Sequence, residues 1–220
     1  YNRLTGKTSD FYLTADSTKR FTNTVGYTFS SSGSYTSAQV ASYTSKVNSN
    51  AAVTYTYTYD GNGNITKITT TSGDEIRYVY DDLGQLIRED NAVRNQTYVY
   101  TYDNAGNILS KKTYALTAAG STPTSPTGTN TYGYGNASWG DLLTSFNGNA
   151  ITYDAIGNPL SYNNGTSYTY NFTWENGRRL ASATYGSNTI TYTYNDEGTR
   201  TSKNVSGTEH VYHLDGSRII

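Results

Sequence analysis

Asp60-x-Asn62-x-Asn64 has the oxygen-ligand spacing that opens a calcium loop, and it is the first constellation here whose residue types could do chemistry. The rest of such a loop does not follow. Ile65 stands where the sixth-position Gly belongs, and no bidentate Glu closes the twelfth. At the corresponding places further along lie Leu83 and Gln85, then Ala105 and Asn107, which are poor ligands, so a turn is the expected role and no metal site is expected. Acidic neighbours at Asp74-Glu75, Asp81-Asp82 and Asp196-Glu197 supply carboxylates, but a glycosidase needs two that flank one bond. Adjacent residues on a strand diverge. His210 and His213 are the only histidines, and three apart on a strand they point to opposite faces, which is no zinc pair. Trp139 and Trp174 could stack on sugar rings. Trp139 lies in an irregular stretch and is the candidate for glycan contact; Trp174 occupies a repeat position and is expected to pack. No Gly-x-Ser-x-Gly elbow, P-loop or His-Glu-x-x-His is present. No catalytic residue and no cofactor-binding residue is therefore expected.

The elements that would position these residues repeat. Tyr57-Thr58-Tyr59-Asp60-Gly61-Asn62-Gly63-Asn64-Ile65 returns around Tyr78, Tyr80, Asp81, Gly84 and Leu86, and again around Tyr100, Tyr102, Asp103, Gly106 and Ile108. Later copies run through Tyr153, Asp154 and Gly157, then Trp174 and Gly177, then Tyr194 and Gly198. A period near 21 residues marks a repeat architecture, and a residue that appears in every unit more readily builds a wall than catalyses a reaction. Tyr57 and Tyr59 share one strand face. Asp60 and Gly63 suit the first and fourth positions of a type I turn, where the carboxylate accepts backbone N–H groups. A Gly at positive φ closes a three-residue loop with a bulge, which predicts Tyr59 opposite Ile65, Tyr80 opposite Leu86 and Tyr102 opposite Ile108. By the same count Pro159 faces Tyr153 at an edge or bulge, since proline cannot donate to the ladder, and Arg200 faces Tyr194. Asn164-Gly165, Asn176-Gly177 and Ser206-Gly207 read as two-residue hairpin loops, the second placing Glu175 opposite Arg178.

Composition agrees with a thin sheet. Leu, Ile, Val and Phe supply only 35 of 220 residues, while Tyr supplies 24. Tyrosine buries a large ring and keeps a polar tip, so the rings are expected inside the wall and the hydroxyls at the surface. Formal net charge is −1, which argues against a charge-driven disordered chain. An isoelectric point near 6.1 without a basic stripe argues against a nucleic-acid partner. The chain has no Cys and no Met, hence no disulfide framework or thiolate site, and no stretch apolar enough to span a membrane.

The chain is expected to divide into degenerate repeats at 1–52, regular repeats at 53–114, an exposed inserted Pro/Ser/Thr/Gly loop at 115–131 and further repeats at 132–220. Within the first part, Tyr27-Thr28-Phe29 and Val40 to Val47 read as strands and Ser30 to Ser34 as a loop; Tyr132-Gly133-Tyr134 reads as a weak unit after the insert. The opening Tyr1-Asn2-Arg3-Leu4 reads like the tail of an earlier unit, so a fragment of a longer protein is expected.

The repeated Tyr-x-Tyr-Asp-x-x-Gly-x-(Ile/Leu) resembles the YD repeats of the Rhs (rearrangement hotspot) family over most of 53–220 and weakly over 1–50. The closing run Val211 to Ile220 resembles late repeats of Gram-positive, wall-associated members. The resemblance implies an all-β fold, with antiparallel hairpins stacked into a spiralling, curved sheet that forms part of a shell, as in the teneurins. It implies an extracellular or cell-wall-associated bacterial protein. Its partners would be other repeats and a C-terminal, possibly toxic, domain of the same polypeptide. The family's self-cleaving core has no match here, so only the wall carries over. The alternatives are a module binding cell-surface or cell-wall carbohydrate, or a carbohydrate-active β-propeller, since 21 residues is half of a four-stranded blade.

Overall fold

Alternating Tyr and Thr, with aromatic and β-branched side chains on a half-buried pleat, make strands of this chain wherever the turns allow. The computed structural model describes residues 3–12, 19–32, 35–163, 165, 167–216 and 218–219, and it is all-β, with antiparallel hairpins in open sheets. Two compact units result, Tyr1–Thr101 with Lys111–Thr129, and Tyr102–Ser110 with Asn130–Ile220.

In the first unit β1 (Gly6–Tyr12), β2 (Lys19–Ser32), β3 (Tyr35–Val47), β4 (Val53–Tyr59), β5 (Ile65–Thr70), β6 (Glu75–Tyr80), β7 (Leu86–Asn91) and β8 (Gln96–Tyr102) pair in chain order. Tyr27-Thr28-Phe29 and Val40 to Val47 lie in β2 and β3 as expected. The loop expected from Ser30 does not begin there: β2 continues to Ser32, paired with Tyr35, and residues 33 and 34 lie outside the described residues. β9 (Ile108–Ala115) and β10 (Gly128–Gly133) flank the strandless stretch 116–127.

The second unit continues with β11 (Ser145–Phe146), β12 (Asn149–Ala150), β13 (Thr152–Tyr153), β14 (Pro159–Tyr162), β15 (Tyr170–Glu175), β16 (Arg179–Tyr185), β17 (Asn188–Tyr194), β18 (Arg200–Val205) and β19 (Thr208–Val211). β13 to β19 form a seven-stranded antiparallel sheet in chain order. β20 (Leu214–Asp215) and β21 (Arg218–Ile219) pair with each other. The expected unit at Tyr132-Gly133-Tyr134 does not form the repeat hairpin. Gly135 follows in place of Asp, and Gly133 pairs instead with Ser145 across residues 134–144.

Few side chains are fully covered. Among the described residues the buried apolar ones are Tyr98, Tyr114, Ile151 and Ala183. Most of the others sit half-buried on a sheet face, where tyrosine is suited. Rings pack along the strand order instead of into a central core. Tyr27, Tyr43 and Tyr55 stand 5.4 and 6.4 Å apart. In the second unit Tyr132, Phe146, Tyr162, Tyr170 and Tyr185 follow at 5.2, 5.9, 6.5 and 5.0 Å.

Candidate functional site

The turn is the unit from which the site is built. The Asp60 amide donates to the Asn64 carbonyl and Gly63 donates back to Asp60, with Gly63 at φ 89°. Tyr59 pairs with Ile65 while Thr58 pairs with Lys67, which leaves Thr66 as the bulge. Asp60 Oδ1 accepts the amides of Asn62 and Asn64, at 2.9 and 2.8 Å. Asn64 Nδ2 donates to Oδ2 at 3.0 Å. Both carboxylate oxygens are thus engaged inside the loop, which is what a turn former does. Asp81, Asp103 and Asp154 repeat the arrangement with Gln85, Asn107 and Asn158. The Asn64 side-chain bond chiefly holds Asp60 below the usual carboxylate range, and that of Asn107 does the same for Asp103. Burial pushes Asp154 up, but its several hydrogen bonds outweigh this and the net direction is down. The carboxamide after the Gly is a working part of the unit to which the sequence alone assigned no role. Its signal was available, since all four Asp turns carry Asn or Gln there. At the fifth turn Asn195 replaces Asp and Thr199 replaces the amide; Asn195 Oδ1 still accepts from the Thr199 amide.

The second aromatic of five units reaches backwards. Tyr59 donates its hydroxyl to the Val40 carbonyl, Tyr80 to Ile65, Tyr153 to Leu143 and Tyr194 to Leu180, at 2.8, 2.9, 2.6 and 2.9 Å. Trp174 makes the same bond with Nε1 to the Pro159 carbonyl at 2.7 Å. These tips are tied to the backbone that precedes their own hairpin. Burial pushes the phenols of Tyr80 and Tyr153 up. Tyr80→Phe, which deletes the hydroxyl alone, is expected to cost about 1 kcal/mol in urea unfolding. A variant indistinguishable from the parent would show that the bond contributes nothing net.

Of the three hairpin loops expected at Asn-Gly and Ser-Gly pairs, one differs, one forms as expected and one lies outside the described residues. Glu175 pairs with Arg179 and not Arg178, so the loop at Asn176-Gly177 has three residues. Trp174 then pairs with Leu180, keeping the six-residue spacing from aromatic to partner found at Tyr59 and Ile65; a two-residue loop would have set the ring against Arg179. Ser206-Gly207 is the expected two-residue loop, between Val205 and Thr208. Asn164 lies outside the described residues. Tyr153 faces Pro159 across a bulge and Tyr194 faces Arg200.

Trp139 is 44% exposed, and its ring would lie 2.7 Å from a Cβ at Gly157. One part of the indole therefore covers the Asp154 turn. His210 sits on β19 opposite Lys203, whereas His213 lies beyond the strand end. Among the described residues no group of three or more His, Cys, Asp or Glu could hold a metal ion, and no helix is long and apolar enough to cross a membrane.

The strandless stretch 116–127 is not a free loop. Arg88 Nη1 donates to the Ser121 carbonyl at 2.6 Å and Nη2 to Ala118 at 3.3 Å. The Thr117 amide donates to Thr97 Oγ1 at 3.0 Å. Beneath it, Arg88 Nε and Thr97 Oγ1 both donate to Asp90 Oδ1, at 2.9 and 2.8 Å. The stretch is exposed along most of its length, and the sheet side chains hold its backbone down.

Residues 80–122 match the RHS Repeat family model. No curated protein matches the chain. A crystal structure of TcdB2-TccC3-TEV aligns with 89% of this chain and 12% of that one, at 15% identity and a TM-score of 0.48. The Photorhabdus luminescens Tc holotoxin pore aligns over 91% of this chain and 11% of that one, at 16% identity and 0.35. A porin-like protein from Bacteroides uniformis aligns over 98% and 93%, at 15% identity and 0.35. The chain thus spans a small part of the length of the first two.

Proposed function

We propose that this chain, which carries the RHS repeat, is a non-catalytic wall segment of a larger β-shell. The tip-to-carbonyl bond repeated at Tyr59, Tyr80, Tyr153, Trp174 and Tyr194 carries the reading. At these five places it ties a hairpin to the chain before it, so stability is passed between neighbours, as in quasi-one-dimensional repeat arrays. Its work is mechanical: it encloses or displays a domain, a toxin in one version, supplied by another part of the same polypeptide. Outside the cell or at a Gram-positive cell wall is the setting that suits such a shell. The four sequence segments, 1–52, 53–114, 115–131 and 132–220, are proposed as repeat phases interrupted by one insert. The repeat residues Tyr57, Tyr59, Asp60, Gly63 and Ile65, with their counterparts, are proposed as structural.

The carbohydrate-binding alternative is weaker on geometry. Sugar stacking needs an open ring face, and the ladder from Tyr132 to Tyr185 packs its rings against one another. Electron microscopy of the natural polypeptide containing this segment tests the reading. A continuous repeat wall around enclosed density is expected. Separate blades around a carboxylate-lined cleft would overturn it.

A further inference from the structure

One strand face departs from the pattern of the array, and it does so where the insert docks. Just before the second aromatic of a unit sits a residue that faces away from it, and nine positions later lies its cross-strand partner. In the second unit these pairs are hydroxyls: Thr152 with Ser161, Thr173 with Ser182 and Thr193 with Ser202, each 2.7 Å apart. In the first unit the corresponding pairs are Thr58 with Lys67 and Val79 with Arg88. The register then runs from Lys67 to Arg77, from Arg77 to Asp90 and from Asp90 to Thr97. A hydroxyl ladder has been exchanged for cations in two successive repeats.

Over this row the insert stands as a second wall. A groove of about 650 Å³ runs between Lys67, Arg77, Val79 and Ile87 on the sheet and Ala119 and Gly120 on the loop. That volume lies within the 300–1,000 Å³ range, roughly, of small-molecule sites, which combine apolar walls with a few placed polar groups. Arg88 is committed to Asp90 and the loop carbonyls, so it builds the groove and does not serve a guest. Lys67 and Arg77 converge on Glu75, Lys67 at 3.0 Å. Two cations sharing one carboxylate leave a positive charge at the mouth, and both cations are partly exposed.

We propose that this groove binds a small organic anion. Its carboxylate or similar group would sit on Lys67 and Arg77, and its apolar body against Val79, Ile87 and Ala119. The proposal goes beyond the wall reading and stands without it.

The test titrates the full 220-residue chain with benzoate, and separately with benzyl alcohol, while recording backbone amide shifts. Saturable benzoate shifts at Lys67, Val79 and Gly120 are expected, with benzyl alcohol binding at least ~10-fold more weakly, which is the discrimination one charge pair can supply. Lys67→Gln combined with Arg77→Gln is expected to lose benzoate by a similar factor while the sheet spectrum holds, because both side chains are partly exposed. Ala119→Glu, which sets a like charge in the opposite wall, is expected to abolish binding with the sheet spectrum unchanged. Absence of saturable shifts, equal binding of the alcohol, or benzoate binding indifferent to these substitutions would overturn the proposal.

Discussion

Gly157→Ala is expected to destabilise the second unit by about 3 kcal/mol, the sum of a backbone and a packing effect. The backbone part follows from φ. Gly157 sits at 85°, where an L-residue pays ~1–2 kcal/mol. The packing part follows from the Cβ, which would lie 2.7 Å from two ring carbons of Trp139. The ring must shift to make room, and overpacking that is not relieved costs about 1–3 kcal/mol. Gly73→Ala separates the two. Gly73 has φ 90° with nothing within 4 Å of its Cβ position, so only the backbone part is expected, about 1 kcal/mol. A double-mutant cycle with Trp139→Ala should return the packing part as a coupling energy of about 2 kcal/mol. Equal urea midpoints for Gly157→Ala and the parent would refute the clash, and equal losses at Gly157 and Gly73 would assign the whole effect to φ. Either result would also show how firmly Trp139 is seated, which bears on its candidacy as a glycan contact.

What could be read from the sequence was what a local rule controls. Asp60 and Gly63 three positions apart dictate loop length, and loop length dictates the register of Tyr59 with Ile65. Asn176-Gly177 misled because the dipeptide alone signals a two-residue loop, whereas the stronger constraint was the pairing of Trp174 with Leu180. The tip bonds of Tyr80 and Trp174 were illegible for another reason: their acceptors are the backbone carbonyls of Ile65 and Pro159, which leave no side-chain signature. The groove was hidden by distance along the chain, since Ser121 meets Arg88 across 33 positions. A trace of it was present all the same, as Lys67 and Arg88 stand nine residues after positions whose later counterparts are followed by Ser161, Ser182 and Ser202.

Asp90→Ala is expected to cost about 3 kcal/mol and to loosen the insert, because it removes the shared acceptor on which the docking rests. Asp90 is 6% exposed and Thr97 wholly buried. With the carboxylate gone, Arg88 Nε and the Thr97 hydroxyl lose the acceptor at 2.9 and 2.8 Å that water cannot readily replace at such burial. Breaking a buried pair by removing one partner costs more than the pair was worth, since the surviving charge stays desolvated. The consequence reaches the loop. Arg88 holds the carbonyls of Ala118 and Ser121, and Thr97 Oγ1 accepts the Thr117 amide, so both anchors are oriented by the residue removed. Amide exchange at Thr117 should quicken well beyond what global destabilisation alone produces, whereas exchange at Asp60, bonded within its own turn to Asn64, should follow only the global change. Asp90→Asn keeps an acceptor oxygen and should fall between the two. Parent-like stability together with unchanged exchange at Thr117 would show that the Leu116 amide, bonded to the Asn95 carbonyl at 3.2 Å, and the Thr127 amide, bonded to Thr113, suffice to hold the insert. The charged row would then be a lining of the groove and not its clasp.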